Sequence, residues 1–182
     1  MWADGDFQGF DFFLNNIEKL RPNVVFLGLN RSGKLEKDRA AFENFHAPGH
    51  RGDAQLRSLI QDQELKNLNG AYMTDLSEVI ETDSKKVLID SYASGIQFER
   101  QLALLGQDEY TVIVFGKDAL MSLLTYYRID SRGVGSDCIQ INGNFQLNVC
   151  GVYHYSMNGF NNKNVLEKLP YQLQAIDKML AA

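Results

Sequence analysis

Cysteine is scarce in this chain, and its scarcity excludes several kinds of site. Cys138 and Cys150 are the two cysteines among 182 residues, and no CxxC pair is present. A zinc finger, an iron–sulfur cluster or a disulfide framework is normally recognised by more cysteines at closer spacing. We therefore expect Cys138 and Cys150 to be small buried hydrophobic side chains rather than a disulfide.

Long apolar runs are also missing. The apolar stretches 24–29 and 111–115 are far shorter than the roughly 20 residues that a membrane-spanning helix needs. The first six residues include two aspartates and lack the basic and apolar regions of a secretory signal peptide. No linker-like composition or internal repeat divides the chain. The sequence therefore predicts a cytoplasmic protein with one domain over residues 1–182.

Positive charge is in short supply. The 18 Lys and Arg residues face 23 Asp and Glu residues, which gives a net charge of −5 at pH 7. This balance argues against a protein that coats nucleic acid, because such proteins are normally basic. The charge is uneven, since residues 31–57 hold six Lys or Arg and four Asp or Glu and so carry +2. A local anion site is compatible with this segment, whereas a broad phosphate-binding surface is not evident.

The sequence does contain a regular alternation of strand-like and helix-like segments. Apolar runs and the turn signal Asn142-Gly143-Asn144 predict strands at 24–29, 71–75, 111–115, 138–141 and 145–152. Apolar residues at helical spacing predict helices at 7–20, 53–66, 94–105, 117–127 and 162–180. Strands separated by helices imply a three-layer α/β/α fold with a short, mostly parallel sheet.

Polar residues follow each predicted parallel strand. They are Gly28-Leu29-Asn30, Thr74-Asp75, Gly116-Lys117 and His154-Tyr155-Ser156. The carboxyl ends of parallel strands meet at one edge of a sheet, which is where ligands bind in open α/β folds. We therefore expect the functional site at this edge.

All three histidines lie near the predicted edge. His46 and His50 follow the first strand, and His154 follows the last one. Three histidines are a common zinc-ligand set. However, Pro48 and Gly49 separate the first two, so we do not expect them to share a helix face, and no neighbouring carboxylate pair completes a ligand set. The sequence therefore predicts no metal site.

The loop after the first strand fits a nucleotide-binding motif in part. Residues 28–34 match GxxxxGK, in which backbone N–H groups hold phosphates and the lysine reaches the terminal ones. Leu35 stands where the motif needs a hydroxyl for Mg²⁺, and residues 87–90 are a weak match to the strand whose aspartate holds the metal. P-loop nucleotide binding is therefore kept as a minor alternative.

Four segments at these strand ends occur in an informative order. They are 23–30, ending in Gly-Leu-Asn; 45–51, Phe-His-Ala-Pro-Gly-His-Arg; 111–119, a strand followed by Gly-Lys; and 152–156, Val-Tyr-His-Tyr-Ser. Together they resemble motifs of the uracil-DNA glycosylase superfamily, most closely of its mismatch-specific (thymine/uracil) branch. The likeness runs over residues 22–180, nearly the whole chain.

The resemblance implies a uracil-DNA glycosylase-like fold and a role in base excision, a form of DNA repair. Such an enzyme hydrolyses the N-glycosidic bond of uracil or a related damaged base in single- or double-stranded DNA, without a cofactor, after flipping the base into a pocket. By the resemblance, Asn30 positions the attacking water, and His154 donates a hydrogen bond to a base oxygen as negative charge develops. The residues implied to bind the substrate are Gly28, Leu29, Phe45, which stacks on the base, Arg51, Ser156, which holds a phosphate, and Asn158.

Departures from the family pattern favour an alternative function. Arg31 and Tyr155 stand where the family has prolines, and residues 157–160 replace the segment that fills the gap left by the flipped base. Proline pre-sets backbone geometry, so we expect both loops to differ from the family. The alternative is a non-catalytic module that binds a nucleobase, a nucleotide or nucleic acid on the same fold. In that case Asn30 satisfies backbone groups in a turn, and His154 is a hydrogen-bonded structural histidine.

Overall fold

The structure, a computed structural model, describes residues 17–31, 51–81, 86–130, 133–135, 137–155 and 162–182. Its elements, in chain order, are β1 (Arg21–Arg31), α1 (Arg51–Asp62), β2 (Ala71–Ile80), α2 (Ser91–Leu105), β3 (Glu109–Phe115), α3 (Lys117–Tyr126), β4 (Cys138–Asn142), β5 (Gln146–Val152), α4 (Asn162–Glu167) and α5 (Leu169–Leu180). A 3₁₀ turn, Ile17–Lys19, precedes β1. Within the described residues, no helix has the length and apolar character needed to cross a membrane.

The strands form one sheet in the order β2-β1-β3-β5-β4. β1 runs parallel to β2 and β3, β3 runs parallel to β5, and β4 is antiparallel to β5. The β4–β5 pair is the hairpin that the Asn142-Gly143-Asn144 turn predicts. Helices cover both faces of the sheet, so the predicted α/β fold with a mostly parallel sheet in three layers is confirmed.

The apolar run of β1 shows why two helical layers are needed. Side chains alternate along a strand, so Val25 and Leu27 join the core cluster that includes side chains of α2 and α3. Val24 and Phe26 join the opposite cluster, which includes side chains of α1 and α5. We call these two sides of the sheet the α2/α3 face and the α1/α5 face. A strand without charges between residues 24 and 29 is stable here because both faces exclude water.

Several predicted boundaries are wrong, for local reasons. Helix α1 ends at Asp62 rather than near residue 66, because Glu64 adopts a left-handed conformation (φ 51°) that a helix does not contain. The predicted helix 162–180 is divided at Lys168, and Pro170 lies in the first turn of α5, where its missing N–H costs nothing. Of the predicted helix 7–20, residues 17–19 form the 3₁₀ turn, and the remainder lies outside the described residues.

Residues 87–90 form no strand, which corrects one part of the P-loop alternative. They lead into α2, and Asp90 is its N-cap: the side chain accepts hydrogen bonds from the backbone N–H groups of Tyr92 and Ala93, both at 3.0 Å. A carboxylate at this position satisfies helix donors that otherwise lack partners. Asp90 is therefore explained by helix capping rather than by binding of a metal.

The two cysteines form a disulfide, contrary to the prediction. Cys138 begins β4 and lies directly opposite Cys150 of β5, with the two Cα atoms 4.2 Å apart. Twelve positions separate the two residues in the sequence, but the hairpin brings them face to face. The prediction failed because cysteine spacing was weighed without the register that the turn imposes on the hairpin.

Candidate functional site

The register of the sheet brings the ends of β1 and β5, which carry Asn30 and His154, to the same edge. Leu27 pairs with Val114, and Val114 pairs with Gly151. Asn30 lies three residues beyond Leu27, and His154 lies three residues beyond Gly151. Because β3 separates β1 from β5, the two chains are two strand spacings apart, or about 10 Å. The two predicted catalytic residues therefore lie on either side of the end of β3.

Asn30 is fixed by the end of β2. Its Nδ2 donates hydrogen bonds to the backbone oxygens of Glu81 at 2.8 Å and Val79 at 3.3 Å. An amide group is planar, so fixing its nitrogen also fixes the direction in which Oδ1 accepts a hydrogen bond. The side chain alternates to the same side as Val24 and Phe26, which places it on the α1/α5 face.

His154 is held among aromatic rings. Its half-buried imidazole stacks on Tyr155, with the ring centroids 4.8 Å apart and the planes 19° apart. The Phe115 ring meets the imidazole edge to face, with the two ring centroids 6.4 Å apart. Tyr155 is itself buried in the core of the α1/α5 face. Tyr155 is thus a core side chain that packs against the imidazole.

The backbone that carries His154 is anchored from two directions. Gly116, in the positive-φ conformation (φ 90°) that favours glycine, donates its N–H to the Val152 oxygen at 2.9 Å. On the other side, the Tyr153 N–H donates to Oε1 of Gln172 in α5 at 3.0 Å. These bonds hold the residues on either side of the strand end, so the position of His154 is set by both β3 and α5.

Aromatic side chains pack beneath the strand ends that carry Asn30 and His154. Phe26 and Phe115 meet edge to face with centroids 5.4 Å apart, and Phe115 meets Tyr155 in the same way at 5.1 Å. Phe26 and Phe115 are each 1% exposed, so these rings belong to the core of the α1/α5 face and support the strand ends from below. Gly28 follows on β1, one residue beyond the Leu27–Val114 pair.

Sequence reasoning misplaced a buried carboxylate. Asp75 was expected at the end of β2, but the strand continues to Ile80, and Asp75 lies inside it, opposite Gly28 and 6% exposed. Ser77, opposite Asn30, is buried to the same degree. Both alternate to the α1/α5 face, whereas Thr74 points to the other face and donates to Gln101 at 2.5 Å. The sequence gives no local signal for this, because the polar residues Ser77 and Glu78 do not indicate that the strand continues.

The remaining predicted site residues fall into three groups. Leu29 packs into the core of the α2/α3 face, so it can reach a ligand on the opposite face through its backbone alone. Arg51 is the first residue of α1. Phe45, Ser156 and Asn158 lie outside the described residues, as do His46, His50 and the Gly33-Lys34 part of the P-loop pattern.

The described side chains offer hydrogen bonds and stacking. Among residues with described positions, no three His, Cys, Asp or Glu side chains are grouped closely enough to hold a metal ion. What the edge presents is an oriented amide and a half-buried imidazole stacked on a tyrosine, above buried aromatic rings. An amide and an imidazole can donate and accept hydrogen bonds to a polar heterocycle. No family model and no curated protein sequence matches this chain.

Proposed function

We propose that the protein is a DNA glycosylase-like hydrolase that cleaves the N-glycosidic bond of uracil or a related damaged base. The observation that supports this proposal is that β1 and β5, whose ends carry Asn30 and His154, flank the end of β3. A span of about 10 Å accommodates a pyrimidine together with its sugar carbon. The base therefore lies near His154, and the sugar lies near Asn30.

The chemistry assigned to these residues is hydrolysis with a base as the leaving group. The bond between the sugar C1′ and the base nitrogen breaks, and its electron pair leaves with the base. The His154 N–H stabilises the negative charge on a base oxygen through a hydrogen bond. Oδ1 of Asn30 accepts a hydrogen bond from a water molecule whose oxygen attacks C1′, and the proton passes to solvent because an amide is too weak a base to take it.

The second candidate function is a non-catalytic module that binds a nucleobase or nucleotide at the same edge. The observation that favours it is the commitment of the Asn30 amide nitrogen to two backbone oxygens, those of Val79 and Glu81. This arrangement satisfies the structural role that a turn asparagine often has. The net charge of −5 also disfavours extensive contact with a phosphate backbone.

The test is an assay for abasic sites in labelled oligonucleotides that contain one uracil, either single-stranded or opposite adenine or guanine. We expect Asn30→Ala and His154→Ala each to lower the cleavage rate by about 10²-fold or more, the size typical of a lost transition-state hydrogen bond. Leu104→Ala, at an exposed position on α2, is the matched control and should cleave at the wild-type rate.

Thermal-shift measurements with free bases and nucleotides separate the two candidates. Stabilisation by a free base without any abasic product supports the binding module. Cleavage that survives both site substitutions, or an absence of both cleavage and binding, contradicts the site described here.

A further inference from the structure

The Cys138–Cys150 disulfide lies on the same face of the sheet as the candidate site. Cys150 is fully buried in the core cluster of the α1/α5 face, together with Val152 and Tyr155. Cys138 is half-buried and packs against that cluster from the edge strand β4. The tyrosine beneath the His154 imidazole and the buried half of the disulfide therefore belong to one packing unit.

The disulfide also links β5 to its outer neighbour β4 at the last residue pair of their ladder. β4 begins at Cys138, so the ladder between the two strands stops at the Cys138–Cys150 pair. Beyond it, within the described residues, the outer edge receives one backbone hydrogen bond, from the Gly135 N–H to the Gly151 oxygen at 3.0 Å. His154 follows Cys150 by four residues. The covalent link thus lies next to the chain segment that presents the imidazole.

We propose that this disulfide is under redox control. When it is oxidised, it holds the start of β4 and residues 133–135 against β5, and when it is reduced, it releases them. The inference does not depend on the proposed enzymatic function. As proposed, the disulfide differs from a purely structural cross-link in one respect. The protein remains folded in both redox states, and the change is confined to the edge of the sheet beside His154.

The chemistry is thiol–disulfide exchange with a dithiol reductant. One thiolate of the dithiol attacks Sγ of Cys138, because that residue lies on an edge strand and is half-buried while Cys150 is inaccessible. Cys150 leaves as a thiolate and takes up a proton. The second thiolate of the dithiol then attacks the mixed disulfide, closes its own disulfide and releases the Cys138 thiolate, which is protonated in turn. Two electrons pass from the dithiol to the protein.

The packing explains why reduction leaves the fold intact. β5 pairs with β3 along its whole length, from Gln146 opposite Glu109 to Val152 opposite Phe115. A reduced Cys150 thiol remains a small hydrophobic side chain suited to its core position. β4, by contrast, is an edge strand with one neighbour, so its first residues are the part of the sheet that the disulfide secures.

The experiment combines thiol alkylation with hydrogen exchange on the intact chain, oxidised or treated with dithiothreitol under native conditions. We expect no alkylation without reductant, alkylation of Cys138 alone with reductant under native conditions, and alkylation of Cys150 as well once the reduced protein is denatured. Amide exchange in peptides covering 133–142 should accelerate at least about tenfold on reduction, as expected for local opening, while peptides from β3 remain protected. The melting temperature should fall by roughly 6 to 12 °C, as expected for a lost cross-link over a short loop in a chain of this size.

The matched control is the double variant Cys138→Ala/Cys150→Ala, whose exchange pattern should resemble that of the reduced protein and should not respond to dithiothreitol. Three results would overturn the proposal. They are alkylation of the native protein without reductant, reduction that takes place only after global unfolding, and identical exchange in the two redox states. The wild-type comparison alone decides the matter if the double variant fails to fold.

Discussion

Gly95 is a position where adding a single methyl group tests the packing of α2 against α3. A Cβ placed on Gly95 would lie 2.1, 2.3 and 2.4 Å from Cγ, Cδ2 and Cδ1 of the Tyr126 ring. Carbon atoms in contact are normally about 3.5 to 4.0 Å apart, so the ring would have to move by roughly 1.5 Å. Tyr126 resists this movement because it also packs against Tyr92 and Tyr127.

Two effects of Gly95→Ala oppose each other, and their sizes decide the sign. Replacing glycine by alanine inside a helix stabilises it by about 1 kcal/mol. Overpacking a close contact costs about 1 to 3 kcal/mol, and a rigid aromatic ring belongs at the upper end of this range. We therefore expect a net loss of about 1 to 2 kcal/mol, or roughly 2 to 8 °C in melting temperature for a chain of this length.

The decisive measurement is a double-mutant cycle followed by thermal or urea unfolding. In a Tyr126→Ala background the ring is gone, so Gly95→Ala should stabilise the protein by up to about 1 kcal/mol through helix propensity alone. The sign of the substitution thus reverses between the two backgrounds. Stabilisation by Gly95→Ala in the wild-type background, or the same effect in both backgrounds, would show that the Tyr126 ring does not occupy the space above Gly95.

Three further predictions concern contacts outside the site. Asn67→Ala removes two side-chain hydrogen bonds to Asp177 of α5 and should lower the free energy of unfolding by about 1 to 2 kcal/mol in urea titrations, whereas Asn69→Ala, at an exposed position, should not. Burial raises the pKa of Tyr127, and Glu99, which accepts its hydrogen bond, raises it further. Because the neutral phenol is favoured in the folded state, the free energy of unfolding should fall as the pH rises above about 10. In Tyr127→Phe this fall should be smaller, by up to about 1.4 kcal/mol per pH unit. Gln172→Leu removes the acceptor of the Tyr153 N–H, so that amide should exchange about fivefold faster in NMR measurements, the factor that corresponds to about 1 kcal/mol, and unchanged exchange would show that the bond is not formed in solution.

The architecture could be predicted from the sequence because its signals are local. The apolar run of β1, the Asn142-Gly143-Asn144 turn and the helical spacing between the strands each depend on neighbouring residues. Boundaries that depend on tertiary contacts could not be predicted in the same way. β2 continues to Ile80 because β1 extends alongside it as far as Arg31, and the polar residues Ser77 and Glu78 give no local sign of a strand.

The candidate site shows the same division. The order of strands and helices was sufficient to place Asn30 and His154 at one edge, because parallel strands end together. Burial of Asp75 could not be predicted, since a carboxylate next to Thr74 looks like the polar end of a strand until the length of β2 is known. The disulfide depends on the register of the hairpin. Asn142 pairs with Gln146, which sets Cys138 opposite Cys150, whereas a turn over residues 142–144 would pair Ile141 with Phe145 and set Cys138 opposite Asn148.

The two faces of β1 explain why the proposed function rests on Asn30 rather than on its neighbour Leu29. Leu29 and Asn30 are adjacent, yet alternation sends Leu29 into the core of the α2/α3 face and Asn30 toward the side that also bears Asp75, Phe115 and His154. An insertion of one residue before Gly28 would exchange these directions and place a leucine where the amide lies. The proposed base cleavage or binding at this edge therefore requires the register between β1 and β3 as much as it requires the asparagine itself, and a variant that keeps Asn30 but shifts this register should lose both.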